Sequence, residues 1–392
     1  MINLYLGIGA AGNKIAINMA DNLGIIDMQD VRLINSTLKD IPDKYKDSAI
    51  RISSGSSEFG AAQERSRGKQ MAFDAIQSNM LKLDNIVEPQ HQKVVIFTSV
   101  AGGTGSGASV VIAKYLREVI KIPVEIYAIM GFEDEAVRSL RNTMEFCQDL
   151  TGDYIIQLIR NEAFLKKANG NRLKAEEMVN DLIAKRILMS TGIMLRDCVQ
   201  NIDEMDLTKL ETTPGYKTIE YYPVTEKIKS QDQFNNIIKE ILDDTASVDP
   251  DDNAGITRLG MIYNLQPSSQ ENIDYSYSPI IQRLGSPYEI FNHVQYRPDM
   301  TEFIALIATG MKMPMNEIRK VYNKYNEQIN EVNTTEDNFF ESVREMKGHS
   351  TDNMFDMPNI RPGQPDAATK DQFFNSFLNG GKSTKDSTTG GF

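Results

Sequence analysis

Seven residues constrain this chain more than any others: Ala101-Gly-Gly-Thr-Gly-Ser-Gly107, which follow the apolar run Val94–Ser99 and precede the helical stretch Ala108–Glu118. Glycines are unfavourable inside strands and helices, so a run of four marks a place where the backbone must come close to something. A strand, a glycine turn and a helix N-terminus together make a cradle of backbone N–H groups for an anion. Thr104 and Ser106 add hydroxyls. A second cradle stands near the start, where Ile2–Leu6 runs into Gly7-Ile-Gly9-Ala10-Ala11-Gly12-Asn13 and again into a helix. This is G-x-G-x-x-G in its strand–turn–helix setting. Alone it reads as a dinucleotide fingerprint, which calls for an acidic residue at the end of the second strand. Val31–Asn35 ends instead in Asn35, and the Walker A spacing is absent from the chain. Two cradles on neighbouring strand ends predict one polyphosphate gripped from both sides.

Around these loops the first half alternates short apolar runs with amphipathic ones. Ile2–Leu6, Val31–Asn35, Val94–Ser99, Val124–Met130 and Tyr154–Ile159 read as strands, and Asn13–Leu23, Gln63–Leu83, Ser106–Ile120 and Ala136–Leu150 as helices. Such alternation predicts an α/β, Rossmann-like parallel sheet with ligands at the carboxyl ends of its strands. Lys174–Leu195, apolar at Met178, Leu182, Ile183 and Ile187 and free of proline, predicts one long helix. A second, smaller α/β segment follows the Thr212–Gly215 break, with strands at Thr218–Tyr222, Arg258–Leu265, Tyr288–Val294 and Glu302–Thr309 and a helix at Asp232–Leu242. Asn316–Val332 reads as helical, continuing after a cap signal at Thr334-Thr-Glu-Asp337 into Asn338–Met346. The resulting division is 1–173, a nucleotide-binding domain; 174–206, the long helix and the acidic loop after it; 207–311, a second α/β domain; 312–347, a helical extension; and 348–392, a disordered tail broken only by the apolar knot Phe373–Leu378.

Composition narrows the function classes. With 42 Lys+Arg against 54 Asp+Glu, the net charge of −12 opposes direct binding to DNA or to an anionic membrane. Two isolated cysteines, Cys147 and Cys198, and three scattered histidines predict no protein-built metal centre and no disulfide framework. No apolar run reaches a membrane span and no signal-peptide pattern opens the chain, so the expectation is a cytoplasmic protein with no membrane insertion.

Gly102-Gly-Thr-Gly-Ser-Gly107 resembles the G-G-G-T-G-[ST]-G signature of the tubulin/FtsZ family, with Ala101 in place of the first glycine. The resemblance extends along most of residues 1–310. Gly9-Ala10-Ala11-Gly12-Asn13 resembles the family's first phosphate loop, Leu33-Ile-Asn35 its second-strand terminus, and Gly60-Ala61-Ala62 its γ-phosphate-sensing loop. Asn161-Glu-Ala-Phe164 is similar to the family's N-E-A-L segment, whose Asn reads guanine, and Asn180 stands where the second guanine-reading residue would. An Asn carboxamide suits that edge because it offers a donor and an acceptor. Glu135 and Arg138 fall near the family's ribose loop, and a surface helix with paired charges explains them equally well. Phe303–Gly310 resembles the I-A-T-G strand of the second domain.

Past the long helix, Asn201-Ile-Asp203-Glu-Met-Asp206 matches the family's catalytic N-x-D-x-x-D loop in all three polar positions. A helix of about 20 residues spans roughly 30 Å. If it starts beside the base, these carboxylates cannot reach the phosphates of their own subunit. The resemblance therefore implies a GTPase, holding GTP or GDP with Mg²⁺ bridging the phosphates, that assembles head to tail and completes hydrolysis in trans. The long helical extension and tail look most like the plasmid- and phage-borne TubZ-type members. That implies DNA segregation or positioning through an adaptor protein bound at the tail. A cell-division ring GTPase is the alternative within the family, and a dinucleotide-dependent oxidoreductase the alternative outside it.

Overall fold

Short β-branched runs separated by amphipathic helices build a parallel sheet in the first half of the chain. The structure, a computed structural model, describes residues 2–54, 60–150, 153–195, 201–243, 250–271 and 273–344. Its first six strands are β1 (Asn3–Ile8), β2 (Val31–Asn35), β3 (Ala49–Arg51), β4 (Lys93–Ser99), β5 (Val124–Met130) and β6 (Ile155–Arg160), all paired in parallel. β1, β4 and β5 are buried almost end to end, as a sheet covered on both faces requires. The helices of this half are α1 (Gly9–Ile17), α2 (Arg65–Gln77), α3 (Leu83–Ile86), α4 (Gly103–Tyr115), α5 (Val137–Asp149), α6 (Asn161–Lys167) and α7 (Arg172–Ser190). α1, α6 and α7 pack on one face, where Ile15, Phe164, Val179 and Ile183 meet Tyr5, Phe97 and Tyr127. α2, α4 and α5 cover the other, with Phe73, Val111 and Phe146 against Leu4, Ile96 and Ile126.

The second half comprises α8 (Glu204–Thr212), β7 (Gly215–Pro223), α9 (Gln231–Asp243), β8 (Arg258–Asn264), α10 (Pro267–Gln270), α11 (Ser278–Leu284), β9 (Glu289–Gln295), β10 (Phe303–Met311) and α12 (Met315–Arg344). All ten strands share one sheet in the order β3-β2-β1-β4-β5-β6-β7-β10-β8-β9. β10 runs antiparallel to both its neighbours, so the added strands form a mixed extension of the parallel half. Within the sheet the two halves pair through β6 and β7, in register at Ile155↔Gly215 and Ile156↔Tyr216.

The fold differs from the sequence expectations at three places. α4 starts at Gly103, so most of the second glycine run is helix rather than free loop. α1 likewise starts at Gly9, and both helices end in a wider five-residue π turn, Asn18–Asn22 and Leu116–Ile120. α12 passes through Thr334–Asp337 without a break. Residues of these types inside a helix cost only tenths of a kcal/mol, roughly 0.5 each, so a cap pattern alone does not end one. Cys198, the tail 348–392 and the knot Phe373–Leu378 lie outside the described residues. No described helix is long and apolar enough to cross a membrane.

Candidate nucleotide site

β1 and β4 run side by side and both end at a cavity of about 430 Å³. Its walls are Gly9, Ala10 and Ala11 from the start of α1, Asn35, Ser36, Thr37 and Asp40 from the end of β2, Gly60–Gln63, and Gly102–Gly105. Among the described lining residues there is no lysine or arginine, and the one carboxylate is Asp40. An anion held here must be met by backbone N–H groups. Two helices begin at the cavity, α1 at Gly9 and α4 at Gly103. The first turn of each leaves its N–H groups without intrahelical partners and carries the positive end of the helix dipole.

The glycines do more than admit an anion. Gly9 takes φ +77°, and a Cβ there would lie 2.9 Å from the Gly105 nitrogen, so the two cradles touch. On Gly105 a Cβ would sit 2.7 Å from Thr98 Oγ1 and 2.8 Å from the Ser99 carbonyl. Gly103, Gly107 and Gly68 interlock α2 with α4. A Cβ on Gly103 would be 2.6 Å from the Glu64 nitrogen, and those on Gly68 and Gly107 would overlap the carbonyls of Gly103 and Arg65. Gly102 alone in the run meets nothing within 4 Å. Most of the signature thus serves close backbone packing, and of its glycines Gly102 alone could take a Cβ without a close contact. Ser106 is buried, its hydroxyl donating back to the Gly102 carbonyl, while Thr104 Oγ1 lies 2.9 Å from Ser36 Oγ on the wall.

Ala62 and Gln63, on the opposite wall, hold φ values of +51° and +61°, the left-handed region that costs a non-glycine residue about 1 kcal/mol. Asn142 of α5 holds this strained corner. Its Nδ2 donates to the Gln63 carbonyl at 3.0 Å and the Ala101 carbonyl at 2.9 Å, with Gly102 O at 3.4 Å, stapling the two loops together. Asn142 escaped the sequence reading, as did Ser36, Thr37 and Asp40. The available signal was a carboxamide on the buried face of an amphipathic helix.

Two of the expected site residues carry unused acceptors. Asn13, buried beneath the cavity, donates to the Ile34 carbonyl at 3.4 Å, and its Oδ1 has no partner among the described residues. Asn161, the first residue of α6, also has a buried Oδ1 without a partner there. Such an atom costs free energy unless a donor meets it, and neither side chain lines the cavity. Asn180 is half-buried on α7, which packs against α6. Glu135 turns back on its own loop, accepting from the Phe132 N–H at 3.0 Å. Together with Ala101 it lines a neighbouring cavity of about 260 Å³ between that loop, α5 and α12. Arg138 bridges to the Ala62 carbonyl at 3.4 Å. Gly12 and Gly107 pack beneath the cavity rather than line it.

The start of α7 lies against the 131–135 loop, where Arg172 pairs with Asp134 and covers the Phe132 ring at 4.8 Å. Its 19 residues carry the chain about 28 Å away. At the far side Asp203 caps α8, accepting from the Asp206 N–H at 2.8 Å. The loop is tied to β9 as the Ile202 N–H donates to His293 Nδ1 at 3.3 Å, while Gln295 beside it donates to the Met194 carbonyl at 3.0 Å. Asn201 and Asp203 are exposed and Asp206 half-buried. Two large exposed apolar side chains, Ile193 (61%) and Met205 (70%), flank them.

Residues 3–169 match the GTPase domain of the Tubulin/FtsZ family. The tubulin-like protein CetZ2 of Haloferax volcanii is 21% identical over 253 residues, 61% of this chain and 68% of that protein. The cell division protein FtsZ of Mycoplasmopsis pulmonis is 26% identical over 215 residues, 54% of this chain and 52% of that protein. Among solved structures, CetZ of Methanosaeta thermophila superposes with a TM-score of 0.66 at 20% identity, covering 88% of this chain and 96% of that one. The tail-truncated TubZ of Clostridium botulinum phage c-st gives 0.65 at 16% identity, covering 84% and 98%. At such identities these structures share the fold.

Proposed function

We propose, starting from the match of residues 3–169 to the tubulin/FtsZ GTPase domain, that this chain binds and hydrolyses GTP and assembles head to tail, each subunit completing hydrolysis on its neighbour's nucleotide. The single observation that carries this reading is the pairing of a cavity walled by two helix starts with an acidic loop on the far side of a helix about 28 Å long. Gly9–Asn13 and Gly102–Ser106 hold the phosphates through backbone N–H groups. Asn161, with Asn180 beside it, selects guanine. Mg²⁺, held chiefly by the phosphates, would find oxygen donors on the wall in Ser36, Thr104 and Asp40. It would supply charge neutralisation between the β- and γ-phosphates.

Asp203 and Asp206 cannot serve their own subunit over that span, so they act on the next one, positioning the attacking water. Ile193 and Met205, exposed beside them, suit a face that becomes buried on assembly. The solved protofilament of CetZ2 from Haloferax volcanii and the two-stranded filament of TubZ-Bt support the assembly part of this reading. Because the chain carries a net charge of −12, any link to DNA runs through an adaptor at the C-terminal tail rather than through direct contact. Segregation or positioning of DNA is the role we favour over a division ring.

The test mixes two inactive variants. Gly102→Val blocks the cavity but keeps the acidic loop; Asp206→Ala keeps the cavity but lacks the carboxylate. Neither should hydrolyse GTP alone, and the mixture should recover turnover that rises with total protein concentration. A mixture as inactive as its components would rule out hydrolysis in trans. Capturing partners on the tail, with and without DNA, then separates segregation from division.

A further inference from the structure

Away from the cavity, at the opposite end of the central strands, four charged side chains meet with no access to solvent. Lys93 opens β4, Glu125 lies at the start of β5, Glu211 near the end of α8 and Lys217 in β7; their exposures are 0%, 1%, 0% and 0%. Lys93 pairs with Glu125, and with Glu211 at 2.7 Å. Lys217 pairs with Glu125 at 3.0 Å and with Glu211 at 2.6 Å. The result is a closed ring of alternating sign. From it a polar path continues. Gln157 of β6 donates to Glu125 at 2.6 Å, Arg186 of α7 donates to Gln157 at 2.9 Å, and Arg186 pairs with Glu220 of β7 at 3.2 Å.

The ring sits where the two halves of the molecule meet, beside the junction of two residue pairs that links β6 to β7. Glu211 lies eight residues beyond Asp203, the cap of α8, a rise of about 12 Å along the helix. α8 otherwise packs chiefly on the second half, with Leu207 and Leu210 in one cluster with Ile262 and Ile307, a cluster that also takes in Met189 of α7. Lys93 also donates to the Glu211 carbonyl at 3.3 Å, so the ring grips both the backbone and the side chain of this helix.

Stability alone does not account for such a ring. Apolar side chains of similar volume in the same place are often as stabilising, or more so, because buried ions lose their hydration. A ring of four charges does something an oily patch cannot: each member faces two of opposite sign in one arrangement, with Glu211 Oε1 alone in the ring left without a hydrogen-bond partner among the described residues, and a small slip leaves an unpaired buried ion. Burial alone would raise the Glu125 carboxyl, but the ammonium groups of Lys217 and Lys93 overcome it and hold it below the usual carboxylate range. Burial alone would lower Lys93, and Glu125 with Glu211 instead keeps it above its usual value.

We propose that the Lys93–Glu125–Lys217–Glu211 ring is a positioning device, fixing α8, and through it Asp203 and Asp206, in relation to the nucleotide-binding sheet. These four residues then set the rate at which an assembled subunit turns over its neighbour's nucleotide, without touching that nucleotide. This rests on the preceding assignment of Asp203 and Asp206.

Two variants of the full chain test it. Glu211→Gln is isosteric and removes one charge. Lys93→Met with Glu211→Leu removes an opposite pair and leaves Glu125 facing Lys217. Both should bind GDP within about two-fold of the unaltered chain, because the cavity is at the far end of β4, while turnover per assembled subunit falls roughly 10- to 100-fold. The double variant should keep or gain thermal stability, which separates lost positioning from lost folding. Amide hydrogen exchange over residues 201–212 should speed up about ten-fold in either variant, with exchange in β1 and β4 unchanged. Turnover at the original rate in a folded, GDP-binding variant with unchanged exchange would overturn the proposal. Should the double variant fail to fold, Glu211→Gln decides. Should the unaltered chain show no assembly-dependent hydrolysis, the functional assignment falls, and the exchange arm still reports whether the ring holds α8.

Discussion

β4 begins in Lys93, locked among three other buried charges, and ends in Thr98 and Ser99, which lead into a cradle of glycines; the two ends lie about 20 Å apart. At the cradle, the protein side carries no cationic side chain among the described lining residues and a single carboxylate, Asp40. The available donors are backbone N–H groups and small hydroxyls. At the ring, charge has been concentrated and cancelled internally. A ligand that brings its own charge needs an end that is neutral and preorganised. A joint between two halves of a chain needs an end in which every partner is already present. One strand thus serves as binding platform and as anchor because its ends solve opposite electrostatic problems.

The largest effect that could break this contrast is at the ring. Lys217→Met leaves Glu125 and Glu211 sharing Lys93, an uncompensated buried charge that should cost about 3–5 kcal/mol in urea denaturation. The folded fraction should still bind GDP with its original affinity. If affinity falls together with stability, the two ends are not separable and the contrast fails.

At the cradle, two glycine substitutions separate packing from binding. A Cβ at Gly12 would overlap the Phe97 carbonyl, backbone that cannot move aside, so Gly12→Ala should lose about 1–3 kcal/mol of stability and binding along with it. Gly102→Ala meets nothing within 4 Å and should leave stability within about 0.5 kcal/mol. It should nevertheless weaken GTP about ten-fold in a fluorescence titration, since that Cβ stands where a phosphate would press on the backbone. Unchanged GTP affinity in Gly102→Ala would move the phosphates away from this wall.

The same contrast explains what could be read from the sequence. The cradle is contiguous: its glycines, its preceding strands and the following helices lie within short windows, and periodicity marks them. The ring is assembled from positions 93, 125, 211 and 217, brought together by the pairing of β4 with β5 and the return of β7. In sequence each is a lone charge at the end of an element, indistinguishable from a solvated one. Asn142 was missed for a related reason, since its partners lie about 40 and 80 residues away, on loops whose approach depends on Gly68 and Gly103. The family resemblance reached the glycine loops, the Asn161 segment and the acidic loop. It said nothing of how glycines are divided between packing α2 on α4 and opening to the cavity.

At the start of α8 stands Asp203, whose carboxylate already has a structural task as the cap of that helix. Capping and hydrolysis can be separated because an amide caps nearly as well as a carboxylate but cannot supply its charge. Asp203→Ala should lose about 1 kcal/mol of stability with the cap. Asp203→Asn should keep stability within a few tenths, roughly 0.3 kcal/mol, of the original. If the carboxylate acts on the neighbour's nucleotide, both variants should lose hydrolysis equally while still assembling with GTP, and their filaments should persist longer than those of the original chain. If Asp203→Asn hydrolyses at the original rate and only Asp203→Ala is impaired, the residue works through the helix it caps, and the chemistry falls to Asp206 alone. Measuring the phosphate release of both at matched filament mass decides between a carboxylate that reacts and one that only holds α8 in register with the ring.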